Sequence, residues 1–105
     1  MALYHRTVTI AVTTGFTLAS VITGIGDVIR YISIQADPAN SAVLYVGGKD
    51  ATLSSTDCGW IIPIPITSIP APPIAITSAS GAFSLGDIQL LGTTTQKAHL
   101  IIVTP

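Results

Sequence analysis

The segment that decides the fold is VIRYISIQADPANSAVLYVGG, residues 28–48. It contains two runs that favour β-strands, residues 28–35 and 43–46, and the tetrapeptide DPAN, residues 37–40, lies between them. Proline holds its φ angle near the value that a turn needs, and Asp and Asn side chains bond nearby backbone groups. We therefore predict a β-hairpin that turns at this tetrapeptide.

The first run also predicts which face of its strand is buried. Side chains alternate along a strand, so Ile32, Ile34 and Ala36 share one face. Further short strands are predicted at residues 7–13, 16–22, 74–77, 82–85, 88–91 and 97–103. No segment keeps a helical period of 3.6 over three turns. We therefore predict one all-β domain over residues 1–105, an antiparallel β-sandwich of jelly-roll type with seven or eight short strands.

The first of these further strands has the most regular alternation. Residues 7–13 place Val8, Ile10 and Val12 on one face. The longer stretch of residues 7–25 holds six threonines and two glycines, so it lacks the roughly 20 predominantly apolar residues of a spanning helix. A signal peptide is an alternative, because a basic pair precedes a moderately apolar run, but the alternation favours a strand. We predict no membrane association.

Residues 60–76, WIIPIPITSIPAPPIAI, form an apolar ribbon that contains five prolines. Proline cannot donate a hydrogen bond to a neighbouring strand, so we predict an extended segment at a sheet edge. Ile62, Ile64 and Ile66 are predicted to share one face of it. Exposed apolar patches of this kind mark contact surfaces. The predicted interface comprises Trp60, Ile62, Ile64, Pro65, Ile66 and Pro72 of the ribbon, with Leu3 and Tyr4 as a reaching N-terminal arm.

The composition favours association with other subunits. Only 9% of the 105 residues are charged, where about 25% is usual, and the formal net charge is -1. Such a chain offers no basic stripe for phosphates, so direct nucleic-acid binding is not expected. A neutral surface rich in Ser and Thr loses less on desolvation than one covered in Lys and Glu. We predict a homo-oligomer or a subunit of a larger assembly.

Few residues carry the chemistry of an active site. His5 and His99 are the only histidines, too few for a three-ligand metal centre unless carboxylates join them, although the two terminal strands that hold them could be neighbours. Cys58 is the only thiol, and His99 is its only candidate base. The aspartates all lie beside turn residues, which explains them without an acid–base role. We predict a protein without catalytic residues, cofactor or metal.

One aromatic residue leaves a binding function open. Trp60 could stack on a sugar ring, and Tyr31 and Tyr45 lie near the predicted hairpin. Core packing, with the indole N–H hydrogen-bonded, is the favoured interpretation of Trp60. A carbohydrate-binding module is the alternative from a different functional class.

Two segments resemble small virion proteins of tailed bacteriophages. They are ISIQADPANSAVLYVGG at residues 32–48 and SLGDIQLLGTTTQKAHLIIV at residues 84–103, together about a third of the chain. The shared features are an extended strand that ends in an acidic turn with Asn before Tyr-Val-Gly, and a Leu-x-Asp-Ile-x-x-x-Gly-Thr segment before the last strand. The proline-rich ribbon departs from the family, which has a glycine-bounded strand there.

The resemblance implies a β-sandwich structural subunit, most plausibly a capsid cement or decoration protein. Such a protein is made in the host cytoplasm, associates with copies of itself and clamps the major capsid protein on the outer surface of the capsid. Related small sandwiches also occur in tails and fibres, so a carbohydrate- or receptor-binding module of a tail or fibre is the alternative.

Overall fold

The computed structural model describes residues 2–65, 72–78 and 82–105. These residues form ten β-strands and two 3₁₀ helices, Leu18–Ser20 and Leu85–Asp87, and contain no α-helix. The strands are β1 (Ala2–Thr9), β2 (Phe16–Thr17), β3 (Val28–Ile29), β4 (Tyr31–Ala36), β5 (Leu44–Gly48), β6 (Trp60–Ile62), β7 (Ile74–Thr77), β8 (Phe83–Ser84), β9 (Ile88–Leu91) and β10 (Lys97–Thr104). Every pairing is antiparallel, which confirms the all-β prediction, but the described strands number ten and not the predicted seven or eight.

The strands form two four-stranded sheets and one two-stranded sheet. The first sheet has the order β1-β10-β4-β7, and the second has the order β2-β9-β5-β6. The two-stranded sheet pairs β3 with β8. The two ends of the chain lie side by side, because β1 pairs with β10 over its whole length, from Ala2 opposite Thr104 to Thr9 opposite Lys97. The expectation that the terminal strands could be neighbours is therefore confirmed.

A single apolar core contains inward side chains of both sheets. The predicted face of β4 is buried, with Ile32, Ile34 and Ala36 almost inaccessible to solvent. The neighbouring strand β10 and the strands of the opposite sheet supply the rest of this core, chiefly Leu100, Ile102, Leu44, Val46 and Leu90. At about 25 cal/mol per Å² of apolar surface, burial of these aliphatic side chains is the main stabilising contribution.

The predicted hairpin at residues 28–48 is wrong, although its turn is correct. In the turn, the Asn40 N–H donates to the Asp37 carbonyl over 3.0 Å, and the Ala39 N–H donates to the Asp37 carboxylate over 3.0 Å. However, β4 belongs to the first sheet and β5 to the second. Because β10 and β7 occupy both sides of β4, the chain crosses at the turn to the opposite sheet instead of folding back beside β4.

Two buried polar side chains hold this crossing in place. Asn40 donates from Nδ2 to the Lys97 carbonyl over 2.8 Å and accepts from the Lys97 N–H over 2.9 Å. Gln96 accepts from the N–H groups of Ser41 and Ala42, over 2.7 and 3.0 Å, with its Oε1 atom. The crossing is thereby hydrogen-bonded to Gln96 and Lys97 at the start of β10, 54 to 57 residues away in sequence. We call Asn40 and Gln96 the corner clamp.

The first strand starts and ends earlier than its alternation predicts. Val8 and Ile10 are buried as expected, but Val12 lies beyond β1 and is 47% exposed. Leu3 and Tyr4 are not a reaching arm, because they pair with Val103 and Ile102 within the sheet. The pairing with β10 extends the strand toward the N-terminus, which the local sequence pattern could not reveal.

Residues 16–22 form only two residues of strand. Leu18 is buried, and the chain turns there into a 3₁₀ helix in which the N–H groups of Val21 and Ile22 donate to the Leu18 carbonyl. The Ser20 hydroxyl donates to the Thr17 carbonyl over 2.6 Å and supports the same turn. Local hydrogen bonds therefore replace the predicted strand pairing.

Both strands that flank the proline-rich segment are edge strands, as predicted. Within the described residues, β6 pairs only with β5, and β7 pairs only with β4. The predicted shared face of the ribbon is wrong, because Ile62 is fully buried opposite Leu44 in the core whereas Ile64 is 47% exposed. Strand pairing directs Ile62 inward, and the chain leaves the sheet before Ile64. Ile66 lies outside the described residues.

Candidate functional site: the outer face of the first sheet

The outer side of the first sheet is a regular surface made by four strands of the described chain. Alternation turns every second residue of its strands away from the core, and the register aligns these residues in rows across the sheet. We call them the outer face. Its members are Leu3, His5, Thr7 and Thr9 of β1, Lys97, His99, Ile101 and Val103 of β10, Tyr31, Ser33 and Gln35 of β4, and Ala75 and Thr77 of β7. Lys97, which lies opposite Thr9 at one end of the sheet, is the one charged residue among them.

The half of the outer face near the N-terminus of β1 is apolar. Leu3 is 70% exposed, and it lies opposite Val103, which in turn lies opposite Tyr31. In the next row Ile101, 42% exposed, lies between His5 and Ser33. Large aliphatic side chains are thus open to solvent in this half of the outer face, where burial against a partner would release water.

The other half of the outer face is polar and internally hydrogen-bonded. His99 Nε2 lies 2.6 Å from Asp37 Oδ1, and His99 Nδ1 lies 3.1 Å from Thr7 Oγ1. With Nε2 donating to the carboxylate, the neutral ring accepts at Nδ1 from the Thr7 hydroxyl. The hydrogen bond from His99, and then that from the Ala39 N–H, lowers the pKa of Asp37. These contacts connect β1, β10 and the turn after β4.

This pairing predicts a specific acid dependence of stability. The folded-state pKa of Asp37 lies below its unfolded value, so the ionised group stabilises the fold above about pH 4, and the contribution is lost as the pH falls through the folded value. We expect Asp37→Asn to reduce the loss of unfolding free energy between pH 6 and pH 2 in urea titrations. Asp57→Asn, at an exposed turn, is the control and should lose as much unfolding free energy between pH 6 and pH 2 as the wild type. Equal losses for all three proteins would contradict the assignment.

The order Thr7, His99, Asp37 is that of a nucleophile, a base and an orienting carboxylate. Acyl transfer also needs donors that converge on a developing oxyanion. Along β1 the N–H groups that point away from β10 are spaced about 6.6 Å apart, so two of them cannot reach one oxygen beside Thr7. The hydrogen bonds of these three side chains are better explained as connections between β1, β10 and the turn after β4.

The remaining predicted site residues do not gather at one place. Leu3 belongs to the outer face, whereas Tyr4 points to the inner side, packs against the core and has the Arg6 guanidinium 5.5 Å from its ring centre. Trp60 lies on β6 of the second sheet, with Ile64 and the half-buried Pro65 just after that strand. The exposed Pro72 lies just before β7 of the first sheet.

Trp60 is 46% exposed, so its predicted core packing is wrong. It stands at the end of the inward side of β6, where the two sheets separate, and borders a cleft of about 570 Å³. Ile76, Phe83 and Ile88 form the apolar wall of this cleft, and Asp87 lies at its margin. The indole therefore has an open flank on which a flat ligand could stack.

The predicted turn roles of the aspartates agree with the geometry. The Ser84 N–H donates to Asp87 over 3.1 Å at the start of the second 3₁₀ helix, and the Ser84 hydroxyl donates to Asp27 over 2.7 Å. Lys49 Nζ lies 2.8 Å from Asp87, and this contact lowers the pKa of that carboxyl. These carboxylates stabilise local structure.

The thiol and imidazole groups are not combined into a reactive pair. Cys58 lies in the loop before β6 of the second sheet, whereas His99 lies on β10 of the first, with Thr7 and Asp37 at its two nitrogens. In the part of the chain that the structure describes, no three His, Cys, Asp or Glu side chains are grouped so that they could hold a metal ion. No described helix is both long and apolar enough to cross a bilayer.

Sequence reasoning missed the outer face as a unit. Its residues come from four strands, and only the register brings Leu3, Ile101 and Tyr31 together. A signal was present in the alternation of residues 97–103, whose outward set contains both Ile101 and Val103.

Neither a family model, nor a curated protein, nor a solved structure gives a significant match to this chain.

Proposed function

We propose that this protein is a non-enzymatic structural subunit of a phage virion, a jelly-roll cement or decoration protein on the outer surface of the capsid. It associates with copies of itself and buries its outer face against the major capsid protein. The observation that carries the proposal is the outer face, which has Lys97 as its one charged member and exposes Leu3 and Ile101 at its apolar half. The resemblance of residues 32–48 and 84–103 to small virion proteins of tailed bacteriophages supports a location in the virion.

The energetics of such a face favour adhesion. A standard contact buries about 800 Å² per partner, of which a little over half is apolar. At about 25 cal/mol per Å², both partners together gain roughly 20 kcal/mol, against an association cost of about 4 to 15 kcal/mol. Because few charges must be desolvated, a large share of the gain is retained.

Light scattering of the isolated protein and cryo-electron microscopy of the intact particle test the proposal. We expect a homo-oligomer at micromolar concentration and density for the protein on the capsid, with the outer face against coat subunits. A monodisperse monomer that is absent from the particle would refute the proposal.

The exposed part of the ribbon provides a second contact that can be tested separately. Ile64→Asp places a charge on an apolar position and is expected to weaken assembly about tenfold, more than any single Asp→Asn change. Val12→Asp is the matched control, because Val12 has the same exposed fraction but lies in the loop after β1. Sedimentation of the protein with capsid particles measures both variants. Unchanged oligomer size and particle binding for Ile64→Asp would remove this residue from the interface.

The open flank of Trp60 favours a second candidate function, a carbohydrate- or receptor-binding module of a tail or fibre. Aromatic faces stack on sugar rings, and the adjoining cleft has Asp87 as a polar partner. On a glycan array we expect selective binding to fall at least tenfold in Trp60→Ala. Ile61→Ala is the control, since Ile61 is exposed to a similar extent but points to the opposite side of β6. Absence of any glycan signal, or an equal loss in both variants, would reject this function.

A further inference from the structure

The four edge strands of the two sheets differ in how well they resist pairing with a strand of another molecule. Unpaired edges attract other strands, and proteins protect them by keeping them short or by placing proline beside them. The edge strand β2 has two residues, β6 has three and is followed by Pro63, and β7 has four and is preceded by Pro72 and Pro73. By contrast, β1 has eight residues and contains no Pro, Gly or Lys.

The hydrogen-bond register shows which backbone groups of β1 face the open edge. Ile10 continues the register of β1, and its N–H donates to the Gln96 carbonyl over 2.8 Å. Bonded and non-bonded pairs alternate in an antiparallel ladder, so the even-numbered residues of β1 are the ones that bond to β10. The N–H and C=O groups of Leu3, His5, Thr7 and Thr9 therefore point to the open edge.

One side chain partly covers this edge. Arg6 Nη1 donates to the His5 carbonyl over 2.8 Å, Nη2 donates to the Thr23 carbonyl over 3.5 Å, and the guanidinium lies 5.5 Å from the Tyr4 ring centre. A carbonyl oxygen has two lone pairs, so it can still accept a second N–H. The edge N–H groups of β1 have no such cover in the described chain, and the strand remains able to pair.

We propose that β1 pairs antiparallel with β1 of a second copy of this chain, across a twofold axis at His5, so that the two first sheets become one eight-stranded sheet. This proposal rests on the self-association in the proposed function and names the surface that mediates it. A twofold axis perpendicular to the sheet keeps inner and outer faces on their own sides. Residues that lie opposite each other must then both be odd or both be even, so the axis passes through a residue and not between two.

Charge complementarity selects the residue on the axis. An axis at Arg6 would place two guanidinium groups directly opposite each other, which is unfavourable. An axis at His5 places Arg6 opposite Tyr4 of the second copy, where the cation–π contact seen within one chain is repeated between chains. It also pairs Leu3 with Thr7 and Ala2 with Val8. With the axis at His5, seven residues of β1 pair with the second copy, whereas an axis at Tyr4 or Thr7 pairs only five.

The proposed pairing doubles the adhesive surface. Because the axis keeps both outer faces on one side, the two sets of outer-face side chains form one continuous surface. Eight strands at about 4.8 Å spacing span roughly 38 Å. The dimer therefore presents a face about twice as wide as that of one copy.

Disulfide formation tests the pairing and its register. In a Cys58→Ser background, His5→Cys places two thiols on bonded residues opposite each other, with Cα atoms about 5.5 Å apart, within the range of a disulfide. Thr7→Cys is the control, because the two Thr7 positions would lie four residues, about 13 Å, apart along the strands. At pH 8 with mild oxidant we expect a covalent dimer for His5→Cys and at least tenfold less for Thr7→Cys. Equal yields, or none for His5→Cys, would overturn the proposal.

Proline substitution tests the contact without a new covalent bond. His5→Pro removes an N–H that points to the open edge and that β10 does not use, so the monomer should fold. The lost hydrogen bonds should raise the dimer dissociation constant about 30-fold or more, measured by sedimentation. Ala75→Pro, on the edge strand β7 of the same sheet, is the matched control and should leave the constant unchanged.

The outcomes distinguish this inference from the proposed function. If the wild type is an oligomer but His5→Pro does not change its size, the contact through β1 is wrong while self-association stands. If the wild type is a monomer at every concentration, both are wrong. Selective cross-linking at His5 together with dissociation of His5→Pro supports both.

Discussion

Replacing Ile101 by Asp is expected to weaken binding to capsid particles at least 100-fold while the fold is retained. Ile101 is 42% exposed at the centre of the outer face, between His5 and Ser33, so the aspartate remains hydrated in the free protein. In the complex the same carboxylate would be buried without a cation opposite it, because its cross-strand neighbours are His5 and Ser33 and Lys97 lies four residues away along β10. An unpaired buried charge costs several kcal/mol, and about 2.7 kcal/mol corresponds to 100-fold in affinity.

Co-sedimentation with particles lacking the protein, combined with urea unfolding of the free protein, measures both effects of Ile101→Asp. Val28→Asp is the matched control, because Val28 is exposed to a similar extent but lies on β3, outside the outer face. We expect the control to bind like the wild type. Binding of Ile101→Asp at wild-type strength would mean that the outer face is not the contact with the capsid.

Local sequence patterns predicted those features that depend on neighbouring residues alone. The alternation of Ile32, Ile34 and Ala36 identified a buried face, and the Asp-Pro pair identified a turn. Prolines around the ribbon identified β6 and β7 as edges. Each of these follows from side-chain alternation or from backbone restriction within a few residues.

Features that depend on distant strands could not be predicted from the sequence. The chain after β4 crosses to the other sheet because β10 and β7 already occupy the sides of β4. Likewise, Ile62 and Ile64 look equivalent in the ribbon, but pairing with Leu44 buries only the first. The outer face requires the register of four strands, so its apolar centre at Ile101 was not among the predicted interface residues.

The corner clamp is the clearest case of a long-range feature, and it carries the largest predicted effect on stability. Asn40→Ala is expected to lower the free energy of unfolding by about 2–3 kcal/mol. Asn40 is only 7% exposed, and its amide both donates to the Lys97 carbonyl and accepts from the Lys97 N–H. After the substitution, the carbonyl keeps its bond from the Asp37 N–H, but the Lys97 N–H has no described partner left.

Two further variants separate this clamp from a general loss of hydrogen bonds. Gln89→Ala also removes two side-chain bonds, to the carbonyls of Gly48 and Ala51, but at an exposed site where water replaces them, so we expect a loss below about 1 kcal/mol. Asn40→Asp keeps the acceptor for Lys97 N–H and loses the donor, and it should be intermediate. Urea unfolding at pH 7 ranks the three. If Asn40→Ala costs no more than Gln89→Ala, the crossing between sheets is held by the apolar core alone, and the clamp is a consequence of the fold instead of one of its causes.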